Sequence, residues 1–236
     1  LGIRKRIKNK QEVPEGQYVK KFEDNFCKYN ERKYGVAVSS GTAALHIALL
    51  SLGIGEGDAV LVPDFTFAAT ANIVEMTGAK AVIVDVDPIT YNMDVTLLES
   101  TINNWNHKET LKAIMPVLEF GNPSGASEYQ RIAKKYKLHM IEDAACAIGA
   151  RENDQNIGTF GDFSCFSFHP RKTLTTGEGG LLISNNDDLA RKASLFRNHG
   201  MVRTESGMSF EAPGLNYRLT NFQAALGRVL LKSLDE

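Results

Sequence analysis

The chain has 236 residues, 43% of them hydrophobic, and sets 27 Lys and Arg against 28 Asp and Glu for a formal net charge of −1. That length supplies one large domain or two small ones with an ordinary core, and the balanced charge excludes a strongly basic nucleic-acid binder or an acidic tail protein. No apolar run approaches the roughly 20 residues of a membrane helix, and no signal-peptide pattern stands at the start, so the expectation is a soluble, cytoplasmic protein that meets neither membrane nor nucleic acid.

Cys27, Cys146 and Cys165 are odd in number and far apart. Each reads as a small buried hydrophobe rather than a disulfide partner, and without a His-Glu-x-x-His pair no metal site is expected. The first ten residues lack Met and carry Arg4, Lys5, Arg6, Lys8 and Lys10, which reads as a solvated N-terminal segment over 1–17.

Taken in order, Tyr18, Phe22 and Phe26 form one apolar stripe of a helix over 17–30. Val36 to Val38 is a short strand, Ser39-Ser40-Gly41 a turn, and Thr42 to Leu52 a helix. A strand, Gly turn and helix N-terminus is a natural anion seat, because backbone N–H groups and the helix dipole both face the turn. Residues 53–57 hold three glycines but follow a helix, so they read as a loop and not a dinucleotide fingerprint.

Alternation then continues: strand 58–63, helix 66–76, strand 79–85 buried on both faces, helix 95–101, strand 111–117, helix 127–136, and strand 138–141 running into Glu142-Asp143. Phe163 to Phe168 alternates aromatic and small residues as a buried strand. It leads through Pro170 to Lys172 and a Thr/Gly turn. After a strand at 180–184 come a helix at 187–198 closed by Gly200, a loop-like stretch at 204–214, and a helix at 221–234 whose apolar side carries Phe222, Leu226, Val229 and Leu230.

Strands alternating with helices predict a three-layer α/β/α domain over 18–236 with a mostly parallel sheet, whose ligands sit beyond the strand C-termini. The Ser39–Thr42 turn, Asp143 and the Lys172 loop all fall there. An anion seat, a carboxylate and a partly desolvated amine able to attack a carbonyl are the three groups that pyridoxal phosphate requires.

Six stretches in order, Ser39-Ser40-Gly41-Thr42-Ala43-Ala44-Leu45, Pro63 to Asn72, Glu142-Asp143-Ala144-Ala145, Ser167-Phe168-His169-Pro170-Arg171-Lys172, Thr176 to Gly180, and Gly214 to Thr220, resemble the DegT/StrS type of sugar aminotransferase within the fold-type I, aspartate aminotransferase-like enzymes. The resemblance implies that Lys172 anchors pyridoxal phosphate covalently and serves as general acid and base. It implies that Asp143 pairs with the ring nitrogen and that Gly41, Thr42, Ala43 and Ser167 hold the phosphate. Phe67 would stack on the ring, Cys146 would stand near the ring hydroxyl where the family has Gln or His, and Asn216 would reach the phosphate of the neighbouring subunit in a homodimer. Without the resemblance Phe67 reads as core, Asp143 as a helix N-cap and Asn216 as a turn residue. Arg171, Tyr217, Arg218 and His199 are candidates for substrate or interface contacts.

The activity implied is transfer of an amino group from an amino acid, glutamate in this family, to a keto-sugar carried on a nucleotide, in amino-sugar and cell-surface polysaccharide biosynthesis. A cofactor-binding regulatory relative, suggested by Cys146, and a sugar dehydratase are the rivals. Lys172 opposes the dehydratase, because that branch resembles sequences with His at this place. The family continues into a smaller C-terminal domain beyond the point reached at Asp235-Glu236, so the sequence reads as an excerpt or as a truncated relative.

Overall fold

The computed structural model describes residues 16–204 and 207–234. The basic run at 4–10, most of the expected segment 1–17, and Asp235-Glu236 lie outside the described residues. The elements are α1 (Gln17–Tyr29), β1 (Tyr34–Val38), α2 (Gly41–Ser51), β2 (Asp58–Pro63), α3 (Ala69–Met76), β3 (Lys80–Val84), α4 (Val95–Asn103), β4 (Thr110–Ile114), α5 (Ala126–Tyr136), β5 (His139–Asp143), β6 (Arg151–Glu152), β7 (Gln155–Asn156), β8 (Phe163–Ser167), β9 (Gly180–Ser184), α6 (Asp187–Arg197), β10 (Met201–Thr204), β11 (Gly207–Phe210) and α7 (Asn221–Leu230).

Seven strands form one sheet in the order β1-β9-β8-β5-β4-β2-β3. All run the same way except β9, which is antiparallel to both of its neighbours. Successive side chains leave a strand on opposite faces, so each strand feeds two cores. In β5, Met140 joins the core under α1, α4, α5 and α7, whereas Ile141 joins the one under α2, α3 and α6. The expected three-layer α/β/α architecture with a mostly parallel sheet is therefore present. All the strands but one end toward a common edge.

Several local expectations change. The helix expected from Thr66 starts at Ala69, and the preceding turn is held by the Thr70 N–H donating to the Phe67 carbonyl at 3.1 Å. Strand β3, expected to be buried on both faces, is an edge strand with Ile83 half exposed, because a run of Val and Ile does not encode its place in the sheet order. The stretch expected as a loop holds a hairpin, β10 and β11, beside the close approach of Gly200 to Ala212, whose carbonyl oxygen would lie 1.8 Å from a Cβ on Gly200. A second small hairpin, β6 and β7, was not expected from the sequence.

Of the apolar side read on α7, Phe222, Leu226 and Val229 are exposed and Leu230 packs against the core, while Ala224 and Gly227 are buried. Close packing on α1 demands the small side, since a Cβ on Gly227 would lie 2.8 Å from Phe22 Cζ. In α1 itself Phe22 and Phe26 are fully buried, as the stripe predicts, while Tyr18 stays exposed. The helix also ends earlier than expected, passing into a 3₁₀ turn at Leu231–Ser233.

The loop before β8 is gathered by one buried carboxylate. Glu142, 1% exposed, accepts from the N–H groups of Gly158 at 3.0 Å, Phe160 at 3.0 Å and Gly161 at 2.7 Å, and from the Ser164 hydroxyl. Glu142→Gln replaces one acceptor oxygen by an amide that cannot accept. It should cost about 2–4 kcal/mol in a denaturant titration, and a loss under about 1 kcal/mol would show that Glu142 does not organise the loop.

Candidate active site

The turn from β1 into α2 is built by Ser40, whose backbone is extended and whose Oγ accepts from the Ala43 N–H at 3.1 Å. That bond caps the helix and takes the N–H that the sequence reading assigned to a ligand. By helix geometry the N–H groups of Gly41 and Thr42, in the first turn, have no partner within the helix. Two glycines let other chain segments close on this turn. A Cβ on Gly41 would lie 2.9 Å from Ser167 Cβ, and one on Gly180 would lie 2.3 Å from the Ser40 carbonyl oxygen. The ends of β1 and β8 and the start of β9 therefore meet at one point.

They border a cavity of about 260 Å³ lined by Gly41, Thr42, Phe67, Thr70, Asp143, Ser167 and Lys172, with Ser40, Arg171, His169 and Glu178 also on its wall. Phe67 is 77% exposed, so the reading of it as core is corrected: the chain turns before α3 and leaves the ring outside. Lys172 sits in a turn after β8, its N–H donating to the His169 carbonyl at 2.9 Å. Its Nζ donates to Cys146 Sγ at 2.9 Å. Cys27 and Cys165 are buried as expected, but Cys146 is only partly buried and turned toward the lysine.

Asp143 ends β5 and does not start a helix, so the N-cap reading is also corrected. The residue is 5% exposed, with the Thr70 hydroxyl donating to Oδ2 at 3.0 Å and the Ala145 N–H to Oδ1 at 3.2 Å. Burial pushes its carboxyl up to about 6 from the ordinary 3.8. The two hydrogen bonds and the charge of Lys172 oppose that rise, and the charge of Glu119 adds to it. Burial raises the carboxyl of Glu119 as well.

Asn216 is not brought to this cavity. It pairs with Asn198 in an isolated bridge and lines a separate cleft with Arg197 and Arg218. Arg218 donates to Asn198 Oδ1 at 2.6 Å, Tyr217 meets His46 Nδ1 at 3.1 Å, and the His199 N–H donates to the Leu215 carbonyl at 2.9 Å. Of these four candidates for contacts, only Arg171 borders the cavity. Thr70 was missed as a site residue, although Thr66 and Thr70 stand one helical turn apart in the quoted motif, a spacing that puts two hydroxyls side by side.

The donor set fits pyridoxal phosphate. A helix N-terminus and the Ser167 hydroxyl flank one part of the cavity, Lys172 and a buried carboxylate another, and an exposed aromatic ring borders it. Those are matches for a phosphate, an aldehyde and a basic ring nitrogen. The model of the DegT/DnrJ/EryC1/StrS aminotransferase family matches residues 3–236.

The chain belongs to that family.

Among its relatives, the GDP-perosamine synthase of Caulobacter vibrioides is 42% identical over 221 residues, 94% of this chain and 58% of that protein. A pleiotropic regulatory protein of Geobacillus stearothermophilus is 40% identical over 93% of this chain and 57% of its own. This family member thus spans less than three fifths of the length of either. Among solved structures, a DegT/DnrJ/EryC1/StrS aminotransferase from Brucella abortus superposes with a TM-score of 0.89 at 37% identity, covering 99% of this chain and 62% of that one. NtdA of Bacillus subtilis with bound cofactor PMP superposes at 0.84 with 34% identity, covering 93% and 48%. The sheet described above is accordingly that of the fold-type I, pyridoxal-phosphate-dependent aminotransferases.

Ionising Asp143 in its buried setting carries a free-energy cost in the cofactor-free protein. Because the folded-state value of about 6 lies above the ordinary 3.8, the cost is absent below that lower value, grows between the two and is complete above the higher one, where it amounts to about 3 kcal/mol at most. Asp143→Asn should therefore gain stability over the parent as the pH rises from 4 to 7 in chemical denaturation without cofactor. Parallel stability profiles would show that this carboxyl is not desolvated.

Proposed function

We propose that this chain carries the cofactor-binding part of a pyridoxal-phosphate-dependent aminotransferase that moves an amino group from an amino acid, glutamate, to a keto-sugar carried on a nucleotide. The observation that carries the reading is the presence of one lysine, Lys172, and one desolvated carboxylate, Asp143, on the wall of a single cavity bordered by a helix N-terminus. The names of the relatives support the sugar as acceptor.

In this reading Gly41, Thr42 and Ser167 would hold the phosphate, and Lys172 would supply the amine for the aldehyde. Pyridoxal phosphate, when bound, supplies an electron sink for the charge left at Cα after a proton departs. Asp143, an anion at neutral pH, holds a proton on the ring nitrogen, and burial makes that pairing stronger than it would be in water. Lys172 Nζ, on the cavity wall, would serve as the base that takes a Cα proton of the bound amino acid and the acid that returns one. Phe67, on the cavity wall, would pack against the ring, and Cys146, already in contact with Lys172, would be the nearby group for the ring hydroxyl. Asn216, in its own cleft, reaches the phosphate of a second copy, which makes the working unit a homodimer. The buried, unpaired thiols of Cys27 and Cys165 support a cytoplasmic setting.

A cofactor-binding regulator is the second reading, favoured by the resemblance to a regulatory protein and by Cys146 at a position that usually carries Gln or His. Absorbance separates the two. Added pyridoxal phosphate should give a near-visible band that is missing in Lys172→Ala, and glutamate should move that band to shorter wavelength. Turnover with a nucleotide-linked keto-sugar should fall by at least about 10³-fold in the variant. A band that glutamate leaves unmoved, with no amino transfer, selects the regulator.

A further inference from the structure

Asp143 is reached from the protein side by a directed chain of two hydroxyls. Thr70, 1% exposed, gives its proton to Asp143 Oδ2, so at its 2.9 Å contact with the Thr66 hydroxyl it accepts and Thr66 donates, in preference to the longer contact of Thr66 with the Phe67 carbonyl at 3.4 Å. Both O–H dipoles therefore point at the carboxylate, and in a low-dielectric site each strengthens the other. A helical threonine commonly returns its hydroxyl to its own preceding turn, yet this one spends it on a strand residue 73 positions later. Its backbone N–H meanwhile holds the Phe67 carbonyl at 3.1 Å. A single residue thus ties the buried acid to the turn that presents the exposed ring.

We propose that Thr70 is a positioning residue of this site, whose hydroxyl, backed by Thr66, holds Asp143 as an oriented anion while its backbone holds the turn of Phe67. Its importance for cofactor binding rests on the reading of Asp143 as the partner of the ring nitrogen. The other groups facing Asp143 are Glu119 from the turn after β4, which opposes its ionisation, Lys172 from the turn after β8, which favours it, and the buried Cys165 thiol of β8. Glu142 points to the opposite face of the sheet and is engaged by the loop before β8. Among the described residues the donors to Asp143 are Thr70 and the Ala145 N–H, so losing the hydroxyl strips Oδ2.

The test is a ¹³C NMR titration of aspartate carboxyls in the cofactor-free protein, with Asp143 assigned by the signal missing from Asp143→Asn. In Thr70→Val the midpoint should rise by about one pH unit, since a hydrogen bond to the charged form is lost. Thr70→Ser should restore it. Thr66→Val, at a partly buried position, probes the chain without altering the core and should move the midpoint the same way by a few tenths of a unit. Unmoved midpoints in Thr70→Val and Thr66→Val, or in Thr66→Val alone if the other variant does not fold, would overturn the proposal. Pyridoxal phosphate affinity at neutral pH should weaken several-fold in Thr70→Val and recover in Thr70→Ser. A raised midpoint with unchanged affinity would support the hold of Thr70 on the acid and overturn instead the pairing of Asp143 with the ring.

Discussion

Two adjacent carboxylates at the end of β5 organise the molecule. A strand sends neighbouring side chains to opposite faces, so Glu142 and Asp143 share a backbone but not an environment. Glu142 enters the face under α1 and α5 and collects the N–H groups of the loop that introduces β8. Asp143 enters the other, where α3 supplies one hydroxyl and burial raises the free energy of its charge. The first carboxylate is satisfied within the protein and fixes the path to β8, hence to Ser167 and Lys172. The second is only partly satisfied, which leaves it capacity to hold a cation. A buried anion with two protein donors and an open cavity beside it is a pre-organised receptor for a cationic group.

The same economy appears where the strand ends converge. The sheet brings the ends of β1 and β8 together only because Gly41 and Gly180 have no Cβ to collide with Ser167 and the Ser40 carbonyl. Ser40 then consumes the Ala43 N–H as a helix cap, which narrows the anion seat to the first turn of α2. The cavity that results measures about 260 Å³.

Thr70 extends this logic by one shell. The charge of Asp143 depends on what surrounds it in its buried setting. A neutral hydroxyl tunes that charge more gently than a cation would. It offsets part of the desolvation while leaving the carboxyl value near neutrality, which a buried Arg would not do. The charges of Glu119 and Lys172 act on the same group in opposite directions. Burial therefore dominates the acid, and hydrogen bonds and charges from several elements adjust it.

The amino-acid sequence by itself determined the alternation of strands and helices, the three layers, and the order of the motifs that carry Gly41, Thr42, Asp143, Ser167 and Lys172. Hydrophobic period and turn chemistry are local, and strand C-termini in such a sheet must face one edge. What only the tertiary structure decided are matters of distance between remote segments. The place of β3 at the sheet's edge, the inward side of α7 set by Phe22 against Gly227, the exposure of Phe67, the turn of Cys146 toward Lys172, and the bond from Thr70 to Asp143 join residues that periodicity treats alone. A side chain's charge and partners depend on what the fold removes from water around it. That sum runs over the whole structure and cannot be read from any one stretch.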